Sequence, residues 1–410
     1  MSLQTALSGL LGAQTGLNTV SNDLANASTT AFKSQTALFE DVYPANADNV
    51  PGIGTATEAI SSDLTQGNLT ATGNPLDAAI QGNGYFLVSN NGTQQYTRDG
   101  AFQLSSSGQL ETVNNAAVLG YAAAAGGGTG ATLGPITINT GAVPANASSA
   151  LGMALSLNSG DAQIPSTTAF SETNSASYSE TTSVVSYDSL GNANRIQLYL
   201  VQNQPATAGN TPTWTVYAQP QLADGTDVGS PTTLTTLNFS NAGVLTSGGS
   251  PTMSVSWGNG AAASNIAFDF AGSTLGAQSF GVAGLTNDGY APGSYSGTSI
   301  DGSGNVVSTY TNGETVNNGT LALANFLNPE GLTPVSGNLY AASTTSGQPV
   351  VDAPGSGLAG STTLSGGNLE ASNASTSSLL VSLIQYQQAY QANTSVIQTE
   401  QQDSTRLSQI

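Results

Sequence analysis

Cysteine and histidine are absent from all 410 residues, and the only cations are Lys33, Arg98, Arg195 and Arg406. Each absence closes off a chemistry. Without cysteine there are no disulfides, thiolate nucleophiles or thiolate metal sites, and without histidine there is no imidazole zinc site, Ser-His-Asp relay or histidine-ligated haem. Four cations against 24 carboxylates give a net charge of −20. Nucleic-acid binding relies on Lys and Arg displacing counterions from phosphates, so no nucleic-acid partner is expected. An anionic membrane surface is disfavoured on the same ground. No run approaches the ~18 apolar residues of a membrane span, so no membrane insertion is expected. A cleaved secretory signal needs a basic leading region, and the first cation is Lys33.

Charged residues of either sign make up only 7% of the chain, so Ser, Thr, Asn, Gln and Gly must supply most of its solvent-facing surface. There are 49 glycines, about 12% against an average of roughly 7%. Disorder is the alternative reading of such a composition. The 38% of apolar residues come in patterned runs, however, which favours a folded chain.

The two ends differ from the middle. Leu3, Leu10, Leu17 and Leu24 recur every seven residues, with Leu7 on the same stripe and Ala6, Ala13 and Val20 beside it. That is the period of a helix seam, and it predicts a helix from Ser2 to Leu24, roughly 35 Å long. At the other end Leu383, Tyr390 and Ile397 repeat at seven, flanked by Leu379, Tyr386, Asn393 and Leu407. A solvent-facing helix usually carries Glu and Lys pairs, whereas residues 371–399 hold no charge at all and the N-terminal stripe shows Asn18, Asn22 and Asn26 instead. Such helices suit apolar contacts on several sides; the same pattern also fits a two-helix hairpin closed within one chain. Leu3, Leu7, Leu10, Leu17, Leu24, Leu379, Leu383, Tyr386, Tyr390 and Ile397 are the candidate subunit-packing residues.

From about Thr70 to Thr363 the chain reads as β. Residues 85–88, 101–104 and 109–112 are short strands separated by hairpin-type turns at Asn91-Gly92, Asp99-Gly100 and Ser107-Gly108. Residues 184–187 and 195–201 flank a further turn at Leu190-Gly191-Asn192, and 214–217 and 266–270 continue the pattern. Gly- and Ser-rich stretches near 122–134 and 273–281 are candidate hinges. The expected fold class is mainly β with paired terminal α-helices, in nested discontinuous domains. A helical polymerisation domain comes from 1–69 and 367–410, an inner β domain from 70–146 and 282–366, and an outer β domain from 147–281.

No catalytic, cofactor or metal site is expected. Gly82-Asn83-Gly84 lacks the third glycine of a dinucleotide loop and runs into a strand where a helix is needed, so it reads as a tight turn. The 301–305 stretch lacks the glycine and the final glutamate of a calcium loop, with Val306 and Asn312 in their places, and also reads as a turn. The many carboxylates are expected to be surface groups that aid solubility.

Several motifs, in order along the chain, resemble the rod/hook family of bacterial flagellar axial proteins. Residues 21–33, SNDLANASTTAFK, look like its N-terminal signature, with Ala31 where glycine is usual. If that glycine serves a positive φ, alanine there should cost stability. Residues 74–80, 82–86 and 96–100 (NPLDAAI, GNGYF, YTRDG) are similar to the β motif shared by rod and hook proteins. Residues 187–192 (YDSLGN), 288–293 (DGYAPG), 310–314 (YTNGE), 321–332 (LALANFLNPEGL) and 369–373 (LEASN) resemble hook rather than rod proteins. Residues 389–393 (AYQAN) match the shared C-terminal helix, although Gln387 and Gln388 stand where a basic residue is common.

This resemblance implies a structural subunit, not an enzyme. It implies export by the flagellar type III apparatus without a cleaved signal, and assembly at the cell surface into a curved flexible tube that carries motor torque to the filament. The partners it implies are further copies of the chain itself, the distal rod protein, the hook cap (scaffolding) protein, the hook–filament junction protein and the export apparatus. It also implies that the terminal helices line the inner tube. Two alternatives stand beside it: a distal rod protein, and a secreted β-rich adhesin or polysaccharide-binding protein, which leaves the heptads at both ends unexplained.

Overall fold

A computed structural model describes residues 2–43, 52–124, 129–205, 210–357, 360 and 362–407. Helix α1 spans Ser2–Ala25 and helix α2 spans Thr376–Leu407. Glycine inside a helix costs about 1 kcal/mol relative to alanine, yet α1 contains Gly9, Gly12 and Gly16. The reason is close approach. A Cβ on Gly16 would lie 2.4 Å from the Tyr386 ring, and one on Gly9 would lie 2.9 Å from the Asn393 amide. These contacts advance in opposite directions along the two helices, so α1 and α2 pack antiparallel.

After α1 the chain forms a hairpin, β1 (Gln35–Val42) and β2 (Gly54–Ser62), paired antiparallel with a bulge at Leu38/Phe39. This hairpin falls within the 1–69 segment assigned to the helical polymerisation domain, beyond the expected helix of Ser2 to Leu24. It leans on α1 through the Thr55 amide, which donates to Ser8 Oγ at 3.2 Å. Gly54, at φ +131°, comes so close to Ser8 that any side chain would collide.

Early and late segments then pair directly. Leu69–Ala71 runs antiparallel to Asn368–Glu370, and Ala78–Gln81 to Thr363–Gly366. The β region is therefore inserted between the two chain ends. A larger antiparallel sheet follows the order Thr315–Leu321, Ala117–Ala123, Tyr85–Asn90, Thr93–Thr97, Leu339–Ala341, Thr333–Val335.

The chain divides into two compact units. Unit 1 takes the chain up to Thr140, Gly297–Ser308 and the chain from Thr315 onward; unit 2 takes Gly141–Ser296 and Thr309–Glu314. Unit 2 is a β-sandwich. One sheet is the meander Glu180–Tyr187, Ala193–Gln204, Thr213–Gln221, Thr232–Phe239, Leu245–Ser247; the other centres on Ala150–Asn158, beside Ser264–Asp269, Thr274–Gly276 and Gly281–Asn287. Alternate residues of each strand face inward, as the pleat dictates. Leu151, Met153, Leu155 and Leu157 from one sheet meet Ile196, Leu198, Leu200, Trp214 and Val216 from the other.

Two turn and hinge expectations change. Asn91-Gly92 and Ser107-Gly108 do close hairpins. Asp99-Gly100 does not: the Gly100 carbonyl accepts from the Ala78 amide at 3.0 Å, and a Cβ on Gly100 would lie on the Ala78 carbonyl oxygen. Likewise the Gly-rich stretch near 122–134 contributes the strand Thr129–Pro135, paired with Ala117–Ala123, and 273–281 contributes Thr274–Gly276; residues 125–128 lie outside the described residues. A Cβ on Gly120 or Gly130 would come within 2.4 Å of a neighbouring carbonyl oxygen. Those glycines permit close strand approach, which is why they sit in a sheet and not in a linker.

Candidate functional site

Two features of unit 1 stand out, an incompletely covered helix pair and a buried charged joint beneath it. In α1 the inward face is built from small residues: Ala6, Gly12, Ala13, Gly16 and Val20 are buried. The leucine stripe sits elsewhere. Leu3 and Leu7 are about half exposed, at 48% and 49%, while Leu10, Leu17 and Leu24 are half-buried. In α2 Leu379, Leu383, Tyr386 and Ile397 are half-buried, Tyr390 is exposed, and no residue of the described helix is fully buried. Sequence reasoning missed further open aliphatics, Leu11 on α1 and Leu380, Val381, Ile384 and Val396 on α2. They lie off the strict heptad, which is why the seven-residue spacing does not select them. Between α1, α2 and the hairpin lies an apolar cleft of about 190 Å³, lined by Gly9, Gly12, Ala13, Phe39, Thr55, Tyr386 and Ala389.

The heptad therefore separates into two surfaces. Small side chains let α1 and α2 approach within one chain, and the large aliphatics remain partly in water. Contiguous apolar rows of this kind on a soluble surface mark contact sites.

Beneath the helices, three of the resemblance motifs converge on Glu370. Lys33 Nζ donates to Glu370 Oε1 at 2.6 Å and to the Thr65 carbonyl at 2.7 Å. Arg98 Nε lies 3.1 Å from Glu370 Oε2, an ion pair without hydrogen-bond alignment, and Arg98 Nη2 donates to the Gly82 carbonyl at 2.6 Å. The Gly67 amide also donates to Glu370 Oε1, at 2.8 Å. All three charged side chains are at most 5% exposed. Burial pulls the Lys33 pKa below the ordinary lysine value, with the neighbouring Arg98 charge acting in the same direction and Glu370 opposing it. Burial likewise pushes the Tyr85 phenol, whose ring lies under the Arg98 guanidinium, up to about 12.

Further bonds fix the segment after α1, one to α1 itself and two to the segment before α2. Asp23 Oδ2 accepts from the Gln35 amide at 2.8 Å, the Ala31 amide donates to the Glu370 carbonyl at 2.8 Å, and Asn373 Oδ1 accepts from the Ser34 amide at 2.8 Å. Asp23 is fully buried, and its carboxyl pKa is raised by that burial, against the Gln35 hydrogen bond. Ala31 adopts φ +57°, the left-handed conformation expected where the family pattern has glycine.

In unit 2 the motif residues are loop staples. Asp188 Oδ1 accepts from the amides of Leu190 (2.9 Å) and Asn192 (3.0 Å), and Oδ2 from the side-chain amides of Asn192 (2.9 Å), Asn194 (3.0 Å) and Asn259 (2.7 Å). Burial alone would raise its pKa; these donors outweigh it and bring it down to about 2. Asp288 Oδ1 takes the Ser149 and Ala150 amides at 2.8 and 2.9 Å. In unit 1 the 301–305 stretch is likewise a turn, in which Asp301 accepts from the Ser303 and Asn305 amides.

Among the described residues, no group of three or more His, Cys, Asp or Glu side chains is placed to hold a metal ion, and no helix is long and apolar enough to cross a membrane. Charge is used internally, in the Lys33–Glu370–Arg98 joint, and apolar surface is left open on the helices.

Comparison with known proteins points the same way. Three family models match: the flagellar basal body protein FlaE D2 domain over residues 154–290, the flagellar hook protein FlgE/F/G D1 domain over 79–152, and the flagellar basal body rod FlgEFG protein C-terminal region over 365–410. The chain is 36% identical to the flagellar hook protein FlgE of Salmonella typhimurium, over 98% of both chains. It is 36% identical to that of Escherichia coli, again over 98% of both, and 32% identical to that of Brucella abortus, over 97% of this chain and 95% of the other. Among solved structures it is similar in fold to Helicobacter pylori flagellar hook protein FlgE2, with a TM-score of 0.55 at 14% identity, covering 69% of this chain and 96% of that one. With relatives at this identity along nearly its whole length, the chain belongs to the flagellar hook protein family and is a structural subunit of the bacterial flagellar hook.

Proposed function

We propose that this subunit polymerises through its terminal helices into a curved, flexible tube that acts as a universal joint between motor and filament. The observation that carries the reading is the open aliphatic surface of α1 and α2: Leu3, Leu7 and Leu11 on one helix, Leu380, Val381 and Ile384 on the other. Leu3, Leu7, Leu10, Leu17, Leu24, Leu379, Leu383, Tyr386, Tyr390 and Ile397 then carry subunit packing. The scarcity of charge on these helices fits this role, because a charge buried unpaired in a helix–helix contact costs several kcal/mol.

The nested division into a terminal helical part (1–69, 367–410), an inner β part (70–146, 282–366) and an outer β part (147–281) is the organisation we assign to the layers of the tube. The partners proposed for the assembled chain are the distal rod protein, the hook cap protein, the hook–filament junction protein and the type III export apparatus, which delivers it without a cleaved signal.

Electron microscopy of basal bodies from cells lacking this chain tests the reading. A complete rod without a hook is the expected result. Loss of the distal rod as well would move the protein one step inward, and intact hooks and filaments would overturn the assignment.

A further inference from the structure

Unit 2 carries nine carboxylates, eight within residues 141–296 plus Glu314, and a single cation, Arg195. Arg195 projects from the outer face of the strand Ala193–Gln204, opposite Val185 on one neighbour and Gln221 on the other. It is exposed, at the edge of a cleft of about 250 Å³ shared with Gln221, Leu222 and Asp224. Its guanidinium has no ion-pair or hydrogen-bond partner among the described residues.

The nearby acids are already engaged. Asp227 Oδ1 accepts from Gln221 Nε2 at 2.8 Å, and Asp224 Oδ1 accepts from the Thr226 amide at 2.9 Å. Val185, 45% exposed, adds an open apolar surface beside the cation. Elsewhere in the chain Lys33 and Arg98 are buried on Glu370, which leaves Arg195 and Arg406 as the outward-facing cations of a molecule with a net charge of −20.

We propose that Arg195 is a contact point between copies of this chain, with its guanidinium taking a carboxylate of a neighbouring subunit. A planar fork of donors without an internal partner suits a carboxylate in two-point contact. A second copy brings 24 carboxylates and almost no competing cation, and every copy supplies both halves of the pair. The contact rests on the assembly reading above and adds to it an electrostatic interface on the outer β unit, separate from the apolar helix surface. It also lets like-charged subunits meet at a point of local attraction.

The test compares polymers of the full-length chain, wild type against R195Q, R195K and the control T167E. The control adds one negative charge at an exposed residue of the same unit. Critical concentration is measured by sedimentation from low salt to 1 M NaCl. At low salt R195Q should raise it about two- to fivefold, the worth of one partly exposed ion pair. R195K should fall between R195Q and wild type, T167E should lie close to wild type, and the R195Q difference should vanish at high salt as charges are screened. Equal values for R195Q and wild type at low salt would overturn the contact, and so would an equal effect of T167E, which would reduce it to net charge. Failure of the wild-type chain to polymerise at any salt would instead sink the assembly reading beneath it.

Discussion

In the sandwich of unit 2, Trp214, Ile196, Phe239 and Phe270 are wholly removed from water, whereas α2 has no buried residue along its 32 positions. Both regions come from a chain poor in charge, but the apolar residues do opposite things in them. In the sandwich, alternate side chains of two sheets close on each other and the fold is complete within one molecule. In the helix pair the packed face of α1 is mostly Gly and Ala, and the large aliphatics stay partly in water. The difference separates a core that is closed within one molecule from a helix pair that is only partly covered.

The sharpest way to break that comparison is Leu17→Asp. A half-buried leucine on the seam becomes a charge that a helix–helix contact would have to bury. We expect polymerisation to be lost, seen as absence of tubes by electron microscopy and of pelletable protein by sedimentation, while the thermal transition of unit 2 stays unchanged. Normal tubes from this variant would remove the helix seam from the mechanism. In the same spirit, α1 in dilute monomer should exchange its amides quickly, since a helix with a half-open seam is marginal on its own. Strong protection of residues 2–24 would show instead that the helix pair is finished without partners.

Next in size is Glu370→Gln. It leaves Lys33 and Arg98 buried with no counter-charge, and breaking a buried pair from one side costs roughly 3–5 kcal/mol. Unit 1 should lose stability by that order in denaturant unfolding, with unit 2 unaffected. A smaller effect is expected from acid. The Asp188 pKa is depressed to about 2, so its contribution is fully present above the unfolded carboxylate range near pH 4 and is lost as pH falls from about 4 to 2. That contribution is on the order of 1–2 kcal/mol. The acid sensitivity of unit 2 over this window should flatten in Asp188→Asn, which is less stable at neutral pH because its amide N–H groups meet donors. Smallest is Ala31→Gly, which relieves an alanine held at φ +57° and should stabilise unit 1 by up to about 1 kcal/mol, read as a raised unfolding midpoint.

What could be read from residues alone follows the range of the forces involved. The helices were legible because Leu3, Leu10 and Leu17 repeat at the helical period, and the Asp188–Asn192 turn because its geometry is local. The positive φ at Ala31 was legible only against the family pattern. The hairpin β1–β2 was not, since Phe39 and Ile60 remain exposed and its strands show no clean alternation of buried and open sides. Gly130 looks like a linker residue until the Ala122 carbonyl beside it is located. The convergence of Lys33, Arg98 and Glu370 had a single trace in sequence: two of only four cations fall inside family motifs. Nothing local says that they meet.

The meeting of Lys33 with Glu370 also sets an order in time. These residues stand 337 positions apart, and closing so long a flexible loop costs about 5 kcal/mol unless the intervening chain has already folded. Unit 2 draws most of its residues from one continuous stretch, Gly141–Ser296, and builds its meander from neighbouring hairpins, so it can form early. Its completion draws the flanking segments together and shortens the search left for the joint. During synthesis the joint can close only after Glu370 has emerged, so unit 1 is completed last, after the sandwich of unit 2.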